Sequence, residues 1–293
     1  MSIVYRNYTQ QELDRQYEHR HIVPNLEEFT SRSQAESVRI RKSLKAQLDV
    51  AYGPDARHCV DIYPASGSRA PLVVWFHGGR WSMGSKNLSC QPAEALTRAG
   101  ITFVAANFRQ APDNRMDTII DDARLAIKWA YDNAASFGAD RDRLYVLGQS
   151  SGAHMGGMMA VTDWASRGLP AGVVKGATLV SGMYDLEPVR LTFRNDALKL
   201  DKDSAARNSP ILHIPKRGCP LVIGYGALES DEFKRQSRDF AAAWNKAANP
   251  CELIEREGHH HYSLGPDLND PASPLVQSFV AMIGASAKVE AAE

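Results

Sequence analysis

A serine in a glycine-flanked pentapeptide is the strongest chemical signal in the sequence. Residues 148–152 read Gly-Gln-Ser-Ser-Gly, and they stand between an apolar run typical of a strand and a small-residue stretch typical of a helix. The glycines permit a sharp strand-to-helix turn whose apex exposes the hydroxyl of Ser150, and the following helix N-terminus favours negative charge there. The pattern predicts a nucleophilic serine for acyl transfer; a purely structural turn is the alternative.

A second glycine-rich turn is expected to supply hydrogen-bond donors to the same site. Residues 77–81 read His-Gly-Gly-Arg-Trp directly after another apolar run. Attack on a carbonyl builds negative charge on its oxygen, and main-chain N–H groups aimed at that oxygen stabilise it. We assign this role to the amides of Gly79, Arg80 and Ser151. His77 precedes the turn, which favours a buried residue that braces the loop over a general base.

The general base is expected late in the chain, where residues 258–262 read Gly-His-His-His-Tyr. One imidazole within reach of Ser150 is enough to take the hydroxyl proton. The spacing from the glycine and the aromatic residue that follows favour His261, with His259 as the second choice. Three adjacent histidines also suggest zinc, but neighbours on a loop point in different directions and no cysteine or carboxylate cluster completes a tetrahedral set. We therefore predict no metal.

An acidic residue that orients the base should follow the preceding strand. The candidates there are Glu229, Asp231 and Glu232. Asp231 and Glu232 fall in the first turn of a predicted helix, where a carboxylate already has a structural reason to be present. Glu229 lies in the loop before that helix, so we favour it over Asp231; Asp185, after an earlier strand, suits a turn better. The resulting chain order is serine, acid, histidine.

Short apolar runs alternate with segments of helical period from about residue 57 onwards. This alternation predicts an α/β fold in which a mostly parallel sheet is covered by helices on both faces. Ligands of such sheets bind beyond the carboxyl ends of the strands, where the chemical motifs stand. Residues 49–285 are predicted to form this domain, with a partly helical insertion at about 181–216 over the site. Residues 286–293 are predicted to be a frayed tail.

The first 48 residues are polar and are predicted to form a helical leader. The segments Thr9-Gln10-Gln11-Glu12 and Ser33-Gln34-Ala35-Glu36 each have the pattern of a capping box, which marks a helix start. Side chains with which the leader can dock stand at Tyr5, Tyr8, Leu13 and Tyr17. We interpret the leader as a flap over the main domain; a solvated appendage is the alternative.

Composition and charge argue against several function classes. The 293 residues carry 34 Lys and Arg against 34 Asp and Glu, so the neutral surface has no overall attraction for nucleic acid or an anionic membrane. Hydrophobic residues make up 44 % and charged residues 23 %, as in a globular protein. The four cysteines form no CxxC pair and the N-terminus has no apolar signal segment, so we expect reduced thiols and a cytoplasmic protein. The sequence leaves the oligomeric state open, a homodimer included.

Together these motifs resemble the α/β-hydrolases of the arylformamidase (kynurenine formamidase) type and their carboxylesterase relatives. The matching segments span nearly the whole chain: Tyr5–Tyr8, His77–Trp81, Gly148–His154, Ser181–Leu186, Glu229–Phe233 and Gly258–Tyr262. The resemblance implies an α/β-hydrolase fold with Ser150 as nucleophile, Glu229 as acid, His261 as base and no cofactor. The family often has Asp where Glu229 stands and a neutral residue where Arg80 stands.

The expected activity is hydrolysis of an aryl formamide or a related small amide through an acyl-enzyme. One alternative is a carboxylesterase on small aryl or acyl esters. Another is a different amidase or carbamate hydrolase of aromatic catabolism, in which Arg80 meets a substrate carboxylate. A binding module without activity would not need the intact serine, glycine turn and histidine. The expected partner is a small-molecule amide or ester, and the candidate substrate-binding residues are Trp81, Phe108, Tyr184 and Tyr262.

Overall fold

A central eight-stranded sheet organises the chain, of which the computed structural model describes residues 2–23 and 25–290, with side chains as far as residue 284. The strands are β1 Ile3–Tyr5, β2 Tyr8–Thr9, β3 Gln47–Ala51, β4 Cys59–Tyr63, β5 Ala70–Phe76, β6 Thr102–Ala106, β7 Ala139–Gln149, β8 Val174–Val180, β9 Leu221–Gly226 and β10 Cys251–Arg256. The large sheet has the order β10-β9-β8-β7-β5-β6-β4-β3, and β1 and β2 form a separate antiparallel pair.

Most neighbours in the large sheet are parallel. Strands β5 to β10 all run in one direction, whereas β4 pairs antiparallel with β6 and β3 pairs antiparallel with β4. Parallel strands require crossover connections, and helices supply them. This arrangement confirms the predicted mostly parallel α/β sheet.

Helices cover both faces of the sheet. They are α1 Gln10–Tyr17, α2 Leu26–Ser43, α3 Pro92–Arg98, α4 Met116–Asn133, α5 Ser151–Val161, α6 Glu187–Arg190, α7 Asn195–Leu198, α8 Lys202–Arg207, α9 Asp231–Lys246, α10 Leu264–Asp267 and α11 Pro274–Glu290. Alternate residues of β5 enter two separate cores: Leu72 and Val74 pack with residues of α4, α5 and α9, whereas Val73 and Trp75 pack with residues of α3 and α11. A strand covered on both faces has to be apolar throughout, which explains its continuous apolar run.

The leader is packed against the rest of the molecule. Leu13 and Tyr17 of α1 are fully buried, and Tyr5 and Tyr8 pack partly buried against the same core. The capping box at Thr9 and Glu12 is present at the start of α1. The second predicted capping box is wrong, because α2 already begins at Leu26 and Ser33 lies inside it. The hydroxyl of a serine within a helix does not indicate a helix start by itself.

Two further predictions concern the insertion and the tail. The segment 181–216 contains the short helices α6, α7 and α8, in agreement with a partly helical insertion. The frayed tail predicted from residue 286 is wrong as far as Glu290, because α11 continues to that residue; residues 291–293 of that prediction lie outside the described part. Within the described residues, none of the helices combines the length and the apolar composition that crossing a membrane requires.

Candidate active site

Ser150 lies at the apex of a strained turn between β7 and α5. Its backbone has φ 58° and ψ −122°, a conformation that is costly for a residue with a side chain and that is maintained only by its surroundings. The amide of Ser150 donates to Val180 O at 2.8 Å, and the amide of His154 donates to Ser150 O at 3.1 Å. These bonds fix the turn between two strands and a helix.

The glycines on either side of Ser150 are required by close backbone contacts. A Cβ added to Gly148 would lie 2.2 Å from Gly152 O, and one added to Gly152 would lie 1.9 Å from Phe76 O. Both separations are far below van der Waals contact, so neither position accepts a side chain without a backbone shift. The Gly-x-Ser-x-Gly pattern is therefore explained by the packing of α5 against β5 and β7.

Ser150, His261 and Glu229 are joined by hydrogen bonds. The Oγ of Ser150 lies 3.0 Å from Nε2 of His261, and Nδ1 of His261 lies 2.6 Å from Oε1 of Glu229. The other carboxylate oxygen of Glu229 accepts from the Ser181 hydroxyl at 2.7 Å and from the Gly226 amide at 2.9 Å. All three central side chains are buried. With Nδ1 donating to the carboxylate, Nε2 is free to accept the serine proton.

The other acidic candidates lie elsewhere. Asp231 is 77 % exposed at its side chain and pairs with Lys234 at 3.3 Å. Glu232 is buried, but its ion pair is with Arg235 at 2.7 Å. Asp185 accepts from the hydroxyl of Tyr5 and from a backbone amide two residues later. The structure thus brings Glu229, and none of these three, to the imidazole of the site.

The glycine-rich turn after β5 lies directly against Ser150. A Cβ on Gly78 would be 3.2 Å from the Cβ of Ser150. Gly79 and Arg80 have φ values of 128° and 57°, and within the described part of the chain neither of their amides donates a backbone hydrogen bond. The amide of Ser151 is the first of α5 and so has no partner inside the helix. These three donors are available to a bound oxygen.

Histidines that flank the site have structural roles. His77 is fully buried, stacks on Phe108 with ring centroids 4.5 Å apart, and donates from Nδ1 to Gly78 O at 2.6 Å. Burial lowers its pKa to about 4. His259, the second choice for the base, instead lies beside Arg256 and Ser263. Among the residues that the structure describes, no cluster of three or more His, Cys, Asp or Glu side chains is arranged to hold a metal.

A cavity of about 400 Å³ opens onto Ser150 and His261. It is lined by His19, Thr30, Ser33, Gln34, Gly78, Gly79, Arg80, Met83, Gly84, Ser85, Leu88, Ser89, Gln91, Gln149, Ser150, His261, Tyr262 and Gly265. Of the four predicted substrate-binding residues only Tyr262 is in this wall. The other three are a correction, because each is at most 1 % exposed and is packed inside the protein: Trp81 donates to His154, Phe108 stacks on His77, and Tyr184 stacks on Phe240.

His19 is a site residue that the sequence did not reveal. It belongs to a short 3₁₀ turn after α1, and its ring stacks on that of His261 at a centroid distance of 4.0 Å and an angle of 15°. Burial lowers the pKa of His19 well below its usual range, and the charge of His261 acts in the same direction. The leader therefore supplies a neutral ring to the face of the base. No local motif marks this residue, since the contact spans more than 240 positions.

Comparisons with known proteins agree with this architecture. A family profile described as the alpha/beta hydrolase fold matches residues 73–264. Kynurenine formamidase of Danio rerio is 32 % identical over 255 residues, covering 85 % of each chain. Esterase LipQ of Mycobacterium tuberculosis is 27 % identical, covering 73 % of this chain and 56 % of that protein.

A solved structure from Silicibacter, of a protein with a provisionally assigned thioesterase function, superposes with a TM-score of 0.80 at 24 % identity. The superposition covers 93 % of this chain and 99 % of that chain, and at this identity it supports the fold alone. The family profile and the formamidase relative confirm the resemblance seen in the sequence motifs. The chain belongs to the α/β-hydrolase family and is an enzyme of the hydrolase class.

Proposed function

We propose that this enzyme is a serine hydrolase that cleaves small amides or esters, with an aryl formamide as its substrate type. The observation that carries the proposal is the hydrogen-bonded chain from Ser150 through His261 to Glu229 at the mouth of the cavity. The relatives named kynurenine formamidase and esterase support a small amide or ester as substrate.

The proposed reaction is a two-step acyl transfer. The Oγ of Ser150 attacks the carbonyl carbon while Nε2 of His261 takes the hydroxyl proton. Glu229 holds the imidazole tautomer and stabilises the imidazolium. The amides of Gly79, Arg80 and Ser151 stabilise the carbonyl oxygen as it becomes negative. His261 then protonates the leaving amine or alcohol, and water hydrolyses the acyl-enzyme, which releases the acid and restores the serine.

A carboxylesterase would use the same residues, and the esterase relatives favour it as the second candidate. A formamide differs from an ester in its acyl part, which is only a hydrogen, and in its leaving group, which is an amine. Neither difference calls for another catalytic group. Substrate preference therefore has to be measured.

The test is a parallel kinetic screen of ring-substituted formanilides and short-chain 4-nitrophenyl esters with the wild type and with Ser150→Ala. Hydrolysis of formanilides that is lost in Ser150→Ala supports the proposal. Turnover of the esters alone would reject the formamide assignment and keep the serine hydrolase. An organophosphate mass adduct on Ser150 would identify the nucleophile, and labelling that persists in Ser150→Ala would reject it.

A further inference from the structure

We infer that the substrate carries an anionic group, a carboxylate in the first instance, and that the guanidinium of Arg80 binds it. The inference rests on the proposed function of the same cavity and names its substrate class. It starts from the charges that surround the cavity rather than from the groups that perform the chemistry.

Arg80 presents an unused cation to the cavity. Its side chain is partly exposed and is part of the cavity wall. Within the described residues Arg80 makes no side-chain hydrogen bond, no ion pair and no contact with an aromatic ring, although most other arginines near it are engaged. A planar guanidinium with all its donors free is suited to a carboxylate, which it can bind through two parallel hydrogen bonds.

No acidic side chain balances this charge. The described residues that line the cavity include neither Asp nor Glu, and Glu229 is already occupied by His261, Ser181 and Gly226. The positive charge on this side of the molecule therefore has no internal counter-ion within the cavity wall.

A second arginine adds to the imbalance. Arg194 is only 5 % exposed, and its guanidinium contacts the sulfur of Met183, the carbonyl of Tyr17 and two aromatic faces rather than a carboxylate. Its Nε has no hydrogen-bond partner among the described residues. Burial, and then the charge of Arg80, lower the pKa of Arg194 to about 10. Two neighbouring cations that lack a carboxylate are stabilised when an anion binds between or beside them.

The backbone at Arg80 also points to a role beyond packing. Arg80 and Trp81 have consecutive positive φ values, of 57° and 59°. Such a conformation is costly for residues other than glycine and is retained where function requires it. Two hydrogen bonds, from the amides of Ser82 and Met83 to Gly79 O, hold the turn. The guanidinium is thereby carried by the same residue whose amide is a candidate donor to the reacting carbonyl.

The remaining wall describes the rest of the ligand. Met83 and Leu88 are 51 % and 40 % exposed and line the cavity together with Tyr262. They offer apolar contacts to an aryl or alkyl body. The substrate class is thus an amide or ester with an apolar body and a carboxylate placed within one arginine side chain of the scissile carbonyl.

The experiment compares matched substrates that differ in charge. Phenyl acetate is the neutral member; 4-nitrophenyl glutarate carries a carboxylate on the acyl part, and acetoxybenzoate carries one on the leaving group. The ratio of kcat/KM for an anionic to a neutral substrate is expected to fall roughly 10- to 100-fold in Arg80→Gln, mainly through KM, because a charge-assisted bidentate contact is lost. Arg80→Lys should restore part of the ratio, and the two anionic substrates show on which side the carboxylate binds.

Arg20→Gln is the matched control, since it removes an exposed positive charge of the leader and should keep the ratio. Equal losses on neutral and anionic substrates in Arg80→Gln would overturn the inference and assign Arg80 to the reacting oxygen. A binding arm keeps the two proposals apart: calorimetry of benzoate with Ser150→Ala and with the Ser150→Ala, Arg80→Gln double variant. Benzoate binding that depends on Arg80 supports the subsite even where hydrolysis fails, and binding that is absent or independent of Arg80 rejects it even where hydrolysis succeeds.

Discussion

The cavity has two walls that are built in different ways. One wall comes from the sheet: Ser150, His261 and the turn after β5 stand at the carboxyl ends of strands and are fixed by backbone contacts that admit no Cβ. The other wall comes from the leader, where His19, Thr30 and Ser33 face the same space. The leader is fixed by side chains, such as the Tyr17 hydroxyl, which donates to Glu232 at 3.3 Å and accepts from Gln236 at 2.9 Å.

This difference indicates a division of roles. The groups that would break and form bonds lie on the rigid wall, whereas the leader adds surface and one stacked ring. Changes in the sheet wall should therefore reduce turnover strongly at little cost in stability. Changes in the leader wall should reduce stability first and turnover only moderately.

The largest effect is expected for Ser150→Ala. Removal of the nucleophile should lower kcat/KM by roughly 10⁴-fold or more while the midpoint of thermal unfolding stays close to that of the wild type. Steady-state kinetics and calorimetry measure the two. Ser166→Ala, on the exposed surface, is the control, and residual turnover near the wild-type value in Ser150→Ala would contradict the division.

Glu229→Gln should rank next. It keeps the shape of the side chain but removes the charge that holds the His261 tautomer, so kcat should fall roughly 10²- to 10⁴-fold. Asp231→Asn is the matched comparison, because Asp231 is exposed and paired with Lys234; we expect less than about a threefold change. The opposite ranking would assign the orienting role to Asp231.

Acid should weaken the sheet wall through its buried neutral histidines. Burial lowers the pKa values of His77 and His154 to about 4 each, against about 6.5 for an unfolded histidine. Between these values the unfolded chain binds more protons, so stability is complete above pH 6.5 and is lost as the pH falls. The cost at pH 5 is roughly 2 kcal/mol for each histidine. Urea unfolding at pH 7 and pH 5 measures it, and equal stabilities would contradict the assignment.

Tyr17→Phe tests how the leader is attached. Loss of the hydroxyl leaves Gln236 and Glu232 without a buried partner and should lower the free energy of unfolding by about 1–3 kcal/mol. Limited proteolysis should then cut the leader faster, and turnover should fall less than in Glu229→Gln. Tyr8→Phe is the control within the leader, because Tyr8 is partly exposed and its hydroxyl makes no hydrogen bond to the described residues. Equal unfolding curves for the two variants would show that packing, not hydrogen bonding, attaches the leader.

The smallest effect is expected at His19. His19→Ala removes the ring stacked on His261 and should lower kcat about 2- to 10-fold, whereas His19→Phe keeps a stacked ring and should retain most of the rate. The pH profile of kcat separates a positioning role from a structural one, since a structural loss would leave its shape unchanged. Identical rates in all three proteins would remove His19 from the site.

The sheet and its chemical residues were largely predictable because each depends on local pattern. The run 72–76 is apolar throughout because both faces of β5 are covered, and Ser150 is marked by the glycines on either side of it. Glu229 could be separated from Asp231 because one precedes a helix and the other begins it. In these cases a few neighbouring residues contain the physical reason.

The remaining features depend on contacts between distant segments, which no local pattern records. His19 reaches His261 only through the docking of α1 on α9, and the second capping box was misleading because Ser33 has the same neighbours inside a helix as at its start. Trp81, Phe108 and Tyr184 have the side chains of a binding pocket, yet each packs inward. An aromatic side chain near a site indicates burial more often than contact with a ligand.

The contact of Gly152 with the carbonyl of Phe76 has a mechanical consequence. Because main chain rests on main chain there, the serine and the turn that follows Phe76 form one solid block. Thermal motion can displace that block as a unit but cannot easily change the spacing between its parts. Diversification of surrounding side chains can therefore alter which molecules are accepted while the distance from nucleophile to oxygen-binding amides is inherited unchanged.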